Sequence, residues 1–274
     1  MPITRSTWND DDGSGTSGTI LNNAELQKIY DNVETFRGAA AVVDANVLVS
    51  TVHNWFPIGF GKVDAVINVN PAADLLITGL IAGVIGQRVL LRNLSPSPST
   101  VVSIGHAHAG SAAANQIACF ATSAPYPMGN RGSVELVYSG TNWLMVNQTP
   151  GAWIAPPFVA SDYFVNIGTG TWPVAAADVA HCAYVVQGRM LHFNIGTNNT
   201  VLTGAPVGLS RKMFGGFQAA RVLGGVFIHS ATAAGYFQMA TGAGTQINFF
   251  RDINGTAWLA GAAVLRAFGS VEIT

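Results

Sequence analysis

The sequence predicts a mainly β protein, in which a short N-terminal helix precedes two antiparallel β-sandwich domains of the jelly-roll type. From Gly38 onward, short runs rich in Val, Ile and Leu alternate with clusters of Gly, Pro, Asn and Ser at nearly regular spacing. Many short strands separated by turn signals are typical of antiparallel sandwiches and barrels. Ahead of them, one convincing segment has the apolar spacing of a helix.

The predicted helix begins at Asn22, a suitable N-cap residue, and Glu25 three residues later completes a capping-box pattern. A helix of this length is marginal in water when isolated, so it needs a partner. Its apolar stripe predicts either a short bundle with copies of itself or packing on the downstream domain, and we favour the bundle. The residues of this oligomerisation stripe are Leu26, Ile29, Val33 and Phe36.

Two hairpins and a closing strand are expected in the rest of the chain. GSVELVYSGTNWLMV, which ends at Val146, predicts a hairpin with a Ser-Gly-Thr-Asn turn, and AYVVQGRMLHFNI predicts a second, tighter hairpin. The segment 261–274 is expected to be a final strand, although its first part also allows a helix. Three prolines and a glycine in QTPGAWIAPPF indicate a stiff, extended linker. The predicted units are an N-terminal attachment peptide and helix (1–37), a first β-sandwich (38–148), a linker (149–158) and a C-terminal β-sandwich (159–274).

Charge is scarce in this chain. Charged residues make up 10% of the sequence and hydrophobic residues 49%, whereas soluble proteins average about 25% charged residues. The net charge of −1 provides no basic field for nucleic acid. The strongest apolar run, 72–85, is interrupted by Asp and Gly and is too short to span a membrane, and no secretion signal is apparent. Large interfaces between subunits are the simplest explanation for so few charges.

Catalytic motifs are not found. GFGK at 59–62 lacks the spacing and the Ser or Thr of a phosphate-binding loop, and no serine lies in a G-x-S-x-G elbow. Cys119 and Cys182 have no motif context and are expected to be buried free thiols. We therefore predict no enzymatic activity and no cofactor. Two acids converging in space, as in glycoside hydrolases, remain an alternative. The acids beyond residue 37 are Asp44, Asp64, Asp74, Glu135, Asp162, Asp178, Asp252 and Glu272.

Two segments contain side chains that could bind a metal ion. In DDDGSG, aligning Gly13 with the invariant glycine of a calcium loop puts Trp8 and Thr19 at two ligand positions, which excludes that loop. In HAHAG, His106 and His108 would share one face of a strand, and copies around a symmetry axis would then offer several imidazoles to a metal ion. Solvent-facing or hydrogen-bonded histidines are the favoured alternative, so we predict no metal.

A basic and aromatic loop is the best candidate for a receptor contact. The segment GLSRKMFGGFQAAR concentrates cationic and aromatic side chains on a glycine-rich stretch, which suits an acidic or carbohydrate partner. An ordinary solvated loop or a contact between subunits is the alternative. Most other aromatic residues are expected in the core. The candidate contact residues are Arg211, Lys212, Phe214, Phe217 and Arg221.

The N-terminal segment resembles fibre and other virion-attached proteins of tailed bacteriophages. Trp8, the stretches 10–16, 18–20 and 22–24, and LQKIYD at 26–31 carry this resemblance. It continues more weakly into the β-rich region, in ITGLIAGVIGQRVLLRNLS, SAAANQIACF and SVELVYSGTNWLMV. In that family a short peptide and helix precede a trimeric β-rich body. The family is functionally mixed and includes receptor-binding fibres, baseplate components and capsid decorations.

The resemblance implies a homotrimeric structural protein of the virion, assembled in the bacterial cytoplasm. Its N-terminus would bind other virion proteins and its C-terminal domain a host-surface glycan or protein, with no nucleic-acid partner and no insertion into a membrane. A capsid decoration, cement or baseplate subunit is the alternative, and a glycan-cleaving enzyme is a third possibility. The residues expected to attach the chain to the particle are Trp8, Asp10, Asp11, Asp12 and Ile20.

Overall fold

The computed structural model describes residues 41–45, 50–57, 64–221, 224–229, 233–239 and 244–274. The predicted attachment peptide and oligomerisation helix (1–37) and the whole of GFGK (59–62) therefore lie outside the described residues. Within the described residues, the prediction of a mainly β protein is confirmed, and no helix there is long and apolar enough to cross a membrane. The helical elements in this part are short 3₁₀ turns at Ala113–Asn115, Ala160–Asp162, Ala176–Asp178 and Phe214–Gly216.

Strands of the first half are distributed over two sheets. The strands are β1 (Ala41–Ala45), β2 (Thr51–Val52), β3 (Ala65–Val69), β4 (Leu75–Ile77), β5 (Arg88–Asn93), β6 (Val102–Ile104), β7 (Ile117–Ala118), β8 (Tyr126–Met128), β9 (Ser133–Tyr138) and β10 (Trp143–Thr149). One sheet has the order β1-β3-β5-β9-β10-β7, and the other has the order β2-β4-β6-β8.

The first six strands form a stack of parallel coils. β1, β3 and β5 pair in parallel, as do β2, β4 and β6. The predicted antiparallel arrangement is wrong here, because each connection carries the chain to the other sheet and successive strands of one sheet run in the same direction. In the first sheet the register pairs Ala41 with Ala65 and Ala65 with Val89, so that each coil takes 24 residues.

Antiparallel strands complete the stack. β9 pairs with β5 and β10, and β8 pairs with β6. The predicted hairpin is confirmed: Tyr138 faces Trp143 across its end, and Gly140 in the turn has a φ of +101°. Both sheets alternate buried and partly exposed side chains, and Ile67, Leu91 and Ile104 are fully buried. The buried side chains of the two sheets belong to one apolar cluster.

The second half is antiparallel, as predicted. The strands are β11 (Tyr163–Thr171), β12 (Val179–Gln187), β13 (Met190–Lys212), β14 (Gly224–His229), β15 (Ala233–Met239), β16 (Gln246–Phe250) and β17 (Gly261–Glu272). Five of them close a ring, because the pairing passes from β13 to β16, β15, β14 and β17 and then returns to β13. The first part of β13 also pairs with β12 and its last part with β11.

The predicted tight hairpin and closing strand are both confirmed. Gln187 pairs with Met190, which leaves Gly188 and Arg189 as the turn between β12 and β13. Gly188 has a φ of +58°, a conformation that tight turns require and that glycine adopts without strain. β17 spans Gly261–Glu272 and pairs along most of its length with β13.

The predicted linker packs against the second half. Ile154 is buried, and its backbone N–H and C=O both pair with Tyr184 of β12, at 2.8 and 2.9 Å. The side-chain amide of Gln148 donates to the Val186 carbonyl at 3.2 Å. Farther away, the Ser123 N–H donates to the Thr274 carbonyl at 2.9 Å. Buried side chains of both halves belong to one apolar cluster. A division into domains at 149–158 stays a prediction.

Candidate binding surfaces

An exposed apolar row crosses the outer face of β17, β14 and β15. Ile228 pairs with Arg266, and continuing this antiparallel register by two residues puts Val226 beside Phe268. On its other side Val226 faces Tyr236. Phe268 and Val226 are 64% and 70% exposed. We call the following five residues the apolar row: Trp153, Val226, Ile228, Tyr236 and Phe268.

Trp153 belongs to the predicted linker (149–158), which we call the connector, and it extends the row beyond β17. Its ring centre lies 6.1 Å from that of Phe268 on β17, and 44% of the residue is exposed. Tyr236, half-buried, stacks on Phe250 of the neighbouring strand at 4.8 Å. Three of the five side chains of the row, those of Trp153, Phe268 and Tyr236, therefore pack against a neighbouring ring. Aromatic side chains beside aliphatic ones are typical of the buried centre of protein interfaces.

β14 has apolar side chains on both of its faces. Phe227 and His229 are 2% and 5% exposed and face the interior, whereas Val226 and Ile228 alternate with them and are 70% and 50% exposed. Strands with apolar residues on both faces usually have both faces covered. Among the described residues, only the inner face of β14 is covered by other parts of the chain.

The predicted receptor loop is largely buried. Arg211, Phe214 and Phe217 are 3%, 1% and 1% exposed. The prediction of a surface contact is wrong for these three residues, because the two phenylalanines pack in the apolar cluster and the Arg211 guanidinium lies over the Phe214 ring. The expectation that most other aromatic residues are core residues is confirmed by Tyr126, Trp172 and Trp258, which are buried.

Arg211 is held by neutral neighbours. Its guanidinium carbon lies 3.7 Å from the Phe214 ring centre, and its Nη2 donates to the Cys182 sulfur at 3.4 Å. Its Nη1 donates to the Lys212 carbonyl at 2.5 Å, and its buried Nε has no hydrogen-bond partner. Its interactions are those of a buried structural cation. A buried cation of this kind is weak evidence that Arg211 stabilises the fold, and it is no evidence that Arg211 recognises a ligand.

Lys212 and Arg221 are the exposed members of the predicted loop. Lys212 forms an ion pair with Asp162 at 3.4 Å, and Arg221 forms one with Glu272 at 3.0 Å. Both cations are more than half exposed, so each pair contributes little to stability. For these two side chains a receptor contact stays a prediction.

His106 and His108 do not share a strand face. β6 ends at Ile104, and Ala107 between the two histidines has a φ of +39°, which breaks the alternation that the prediction assumed. The Nδ1 atom of His106 accepts from the Cys119 N–H, and that of His108 accepts from the Gly110 N–H, both at 3.0 Å. Hydrogen-bonded histidines were the favoured alternative. In the described part of the chain no three His, Cys, Asp or Glu side chains gather as a metal site would require.

The two cysteines are free, as expected. Cys119 is half-buried as a residue, but burial of its thiol raises its pKa to about 12. The thiol therefore stays protonated at neutral pH, in agreement with a structural role. Cys182 accepts a hydrogen bond from the Tyr163 hydroxyl at 3.6 Å as well as the one from Arg211.

A junction groove lies between the coil stack and the connector. It has a volume of about 720 Å³, within the range of small-molecule sites. Its walls are the segments 72–74 and 97–101, Ser103, the connector residues 154–157, and Tyr184 of β12. A second depression of about 320 Å³ shares Asp74 and Ser103 with it. The two depressions therefore meet along the outer face of β4 and β6.

Asp74 is the charged residue in the walls of this groove. One of its carboxylate oxygens accepts from the Val101 N–H at 2.8 Å, which ties the loop before β4 to the loop before β6. Burial, and to a smaller extent the charge of Asp74, raise the pKa of Tyr184 to about 12, while Arg211 lowers it. The phenol of Tyr184 is therefore neutral at physiological pH. In the sequence, Asp74 is one of eight dispersed acids beyond residue 37, and no motif distinguishes it from the others.

Comparison of the chain with known protein families and with curated proteins found no match. The predicted particle-attachment residues, Trp8 to Ile20, lie outside the described residues. Among the described residues, the apolar row and the junction groove are two surfaces, though not the only ones, whose composition suits a partner or ligand.

Proposed function

We propose that this chain is a structural protein of a bacteriophage particle, a homotrimeric fibre or spike that assembles through the apolar row. It mounts on the particle by residues 1–37 and presents its C-terminal half to a host-surface glycan or protein. The observation that carries the assembly is the exposed apolar face of β14, flanked by Phe268 and Trp153. The resemblance of the N-terminal segment supports the bacteriophage context.

A second copy of the same chain is the occupant that fits the row. The row consists of neutral side chains, so the rows of three copies can meet around a threefold axis without burying an unpaired charge. Arg266, the nearest charged residue on β17, donates from its guanidinium to the Thr197 carbonyl at 3.1 Å and to the Asn198 side chain. A chain with 10% charged residues is also expected to bury much of its surface between subunits.

The mass of the purified full-length chain tests the assembly. Multi-angle light scattering is expected to give three times the chain mass of 28.6 kDa. Val226→Glu places a charge in the row and is expected to shift the mass to that of one chain, because an unpaired charge at the centre of an interface costs several kcal/mol, on the order of 2–5. Ile85→Glu is the matched control, since Ile85 is 80% exposed and lies outside the row.

Circular dichroism shows whether the Val226→Glu variant is folded, so that a change in mass can be assigned to the loss of assembly. Val226 is exposed in the single chain, so the variant should retain its β spectrum. A wild-type protein that is monomeric at micromolar concentration would overturn the proposed assembly, as would a Val226→Glu variant that remains trimeric.

Incorporation into particles tests attachment through the N-terminus, and adsorption to host cells tests the host-facing role. Deleting residues 1–37 is expected to leave a soluble β protein that no longer joins particles. Normal incorporation of the deletion variant would contradict attachment through the N-terminus. Adsorption of the purified trimer to host cells favours a fibre. A decoration or baseplate subunit should bind particles and ignore cells.

A further inference from the structure

The junction groove has the chemistry of a binding site, and its walls offer acceptors in excess of donors. Pro156 and Pro157 have no N–H, so this part of the wall presents carbonyl oxygens and ring methylenes. Asp74 adds a carboxylate that has one oxygen on the Val101 N–H and a second oxygen with acceptor capacity. Ser97, Ser99 and Ser103 supply hydroxyls that can both donate and accept, although the Ser97 and Ser99 hydroxyls bond to each other at 3.0 Å.

Charge narrows the ligand class. The groove walls contain Asp74 and no Lys, Arg or His, so a phosphate, sulfate or carboxylate group on the ligand would meet a like charge and no counter-charge. A ligand rich in hydroxyl donors and without negative charge satisfies the acceptors. The small apolar surfaces of Pro156 and Pro157 suit the C–H face of a sugar ring better than a large hydrophobic group.

We infer that the junction groove binds a neutral saccharide, with Asp74 accepting hydrogen bonds from sugar hydroxyls and Pro156 and Pro157 packing against a ring face. The second depression that shares Asp74 and Ser103 extends the groove along the outer face of β4 and β6, which suits several linked sugar units. This site gives the proposed host-facing role a ligand class and places ligand binding at the junction, apart from the largely buried 208–221 loop. In that respect it rests on the proposed function.

Saturation-transfer NMR on the full-length protein tests the inference. The probes are neutral hexasaccharides (maltohexaose, cellohexaose, chitohexaose and mannohexaose) and an acidic control, hexagalacturonate. At least one neutral probe is expected to receive saturation and the acidic probe is not. Saturation of no neutral probe, or stronger binding of the acidic one, would overturn the inference.

Two variants locate the binding. Asp74→Asn keeps an oxygen for the Val101 N–H but removes the charge, and it is expected to weaken binding of the neutral probe about tenfold, the usual effect of losing a charge-assisted hydrogen bond. Ser99→Trp should fill the groove and abolish binding. Ser161→Trp, at another exposed serine, is the matched control and should bind normally. Unchanged affinity in either groove variant would place the ligand elsewhere and contradict the inference.

The same samples separate this inference from the proposed assembly. A trimer that binds no neutral saccharide overturns the groove inference alone. A monomer that binds one through Asp74 overturns the assembly alone.

Discussion

The guanidinium carbon of Arg211 lies 3.7 Å from the centre of the Phe214 ring, and both residues are buried. In the described residues Arg211 forms no ion pair, and its buried Nε has no acceptor. A buried cation without an anionic partner carries a desolvation cost that a ring face, a thiol and a carbonyl only partly offset.

We therefore expect Arg211→Met to change the free energy of unfolding by less than about 1 kcal/mol, because a flexible apolar side chain fills the space without the desolvation cost. Arg211→Ala should destabilise by about 2–4 kcal/mol, since it leaves a cavity beside Phe214. Urea unfolding of the two variants measures the difference. Equal destabilisation by both would show that the guanidinium itself stabilises the fold.

Trp153 should be an anchor of the assembly. Trp153→Ala is expected to weaken trimer formation at least about tenfold, since buried tryptophans are prominent among the residues that dominate interface energies. Concentration-dependent sedimentation gives the association constant. Phe158→Ala is the matched control, because Phe158 is an exposed aromatic residue of the same connector that stacks on Tyr163 outside the row. Equal weakening by both variants would contradict a specific role for Trp153.

The protein should lose stability in alkali. Burial raises the pKa of the Cys119 thiol from 9.0 to about 12 and that of the Tyr163 and Tyr184 hydroxyls from 10.0 to about 12. In the unfolded chain these groups lose their protons from pH 9 to 10 upward, while in the folded chain they stay protonated. Their stabilising effect is therefore complete below pH 9 and is lost progressively up to about pH 12, at most about 1.4 kcal/mol per pH unit for each group.

Cys119→Ala should flatten this dependence between pH 9 and 11 relative to the wild type. Denaturant titrations at several pH values measure it. The two tyrosines remain in the variant, so a residual slope is expected. Parallel curves for variant and wild type would show that the thiol is not protected in the folded state.

Substitutions at Gly170 and Gly261 allow the energetic cost of backbone strain to be measured separately from the cost of close packing. They have nearly equal φ values, +119° and +120°. A Cβ at Gly170 would overlap the Thr203 carbonyl oxygen of the paired strand, whereas one at Gly261 would meet nothing within 4 Å. Gly261→Ala is expected to cost about 1–2 kcal/mol through strain alone, and Gly170→Ala clearly more. Thermal unfolding of both variants tests this, and an equal loss would mean that the strands separate to admit the methyl group.

The β class, the two hairpins and the closing strand could be predicted because their signals are local. Residues close together in the sequence determine the alternation of apolar and polar side chains, the two-residue turn at Gly188 and the Ser139–Asn142 turn. The parallel stack was missed, although AVVDAN and AVINVN repeat after 24 residues. Short apolar runs do not show strand direction, which is determined by where each connection leads.

The binding surfaces were harder to predict, because exposure depends on distant partners. The sequence shows that Phe214 and Phe217 lie near basic residues, but burial of that loop follows from packing against Tyr184 and Phe193. The exposure of Val226 and Ile228 had one local signal, the apolar residues on both faces of GGVFIH. The junction groove had none, because its walls come from four separate segments of the chain.

The coil stack gives the first half of the molecule a unit of length. Adding or deleting one coil of 24 residues preserves the register of the sheet that contains β1, β3 and β5, and it changes the height of the stack by one strand spacing, about 4.8 Å. A protein built in this way can evolve a taller or shorter first half in fixed steps while its antiparallel second half stays unaltered. The length of the chain in the first half is therefore a direct measure of the height of the coil stack.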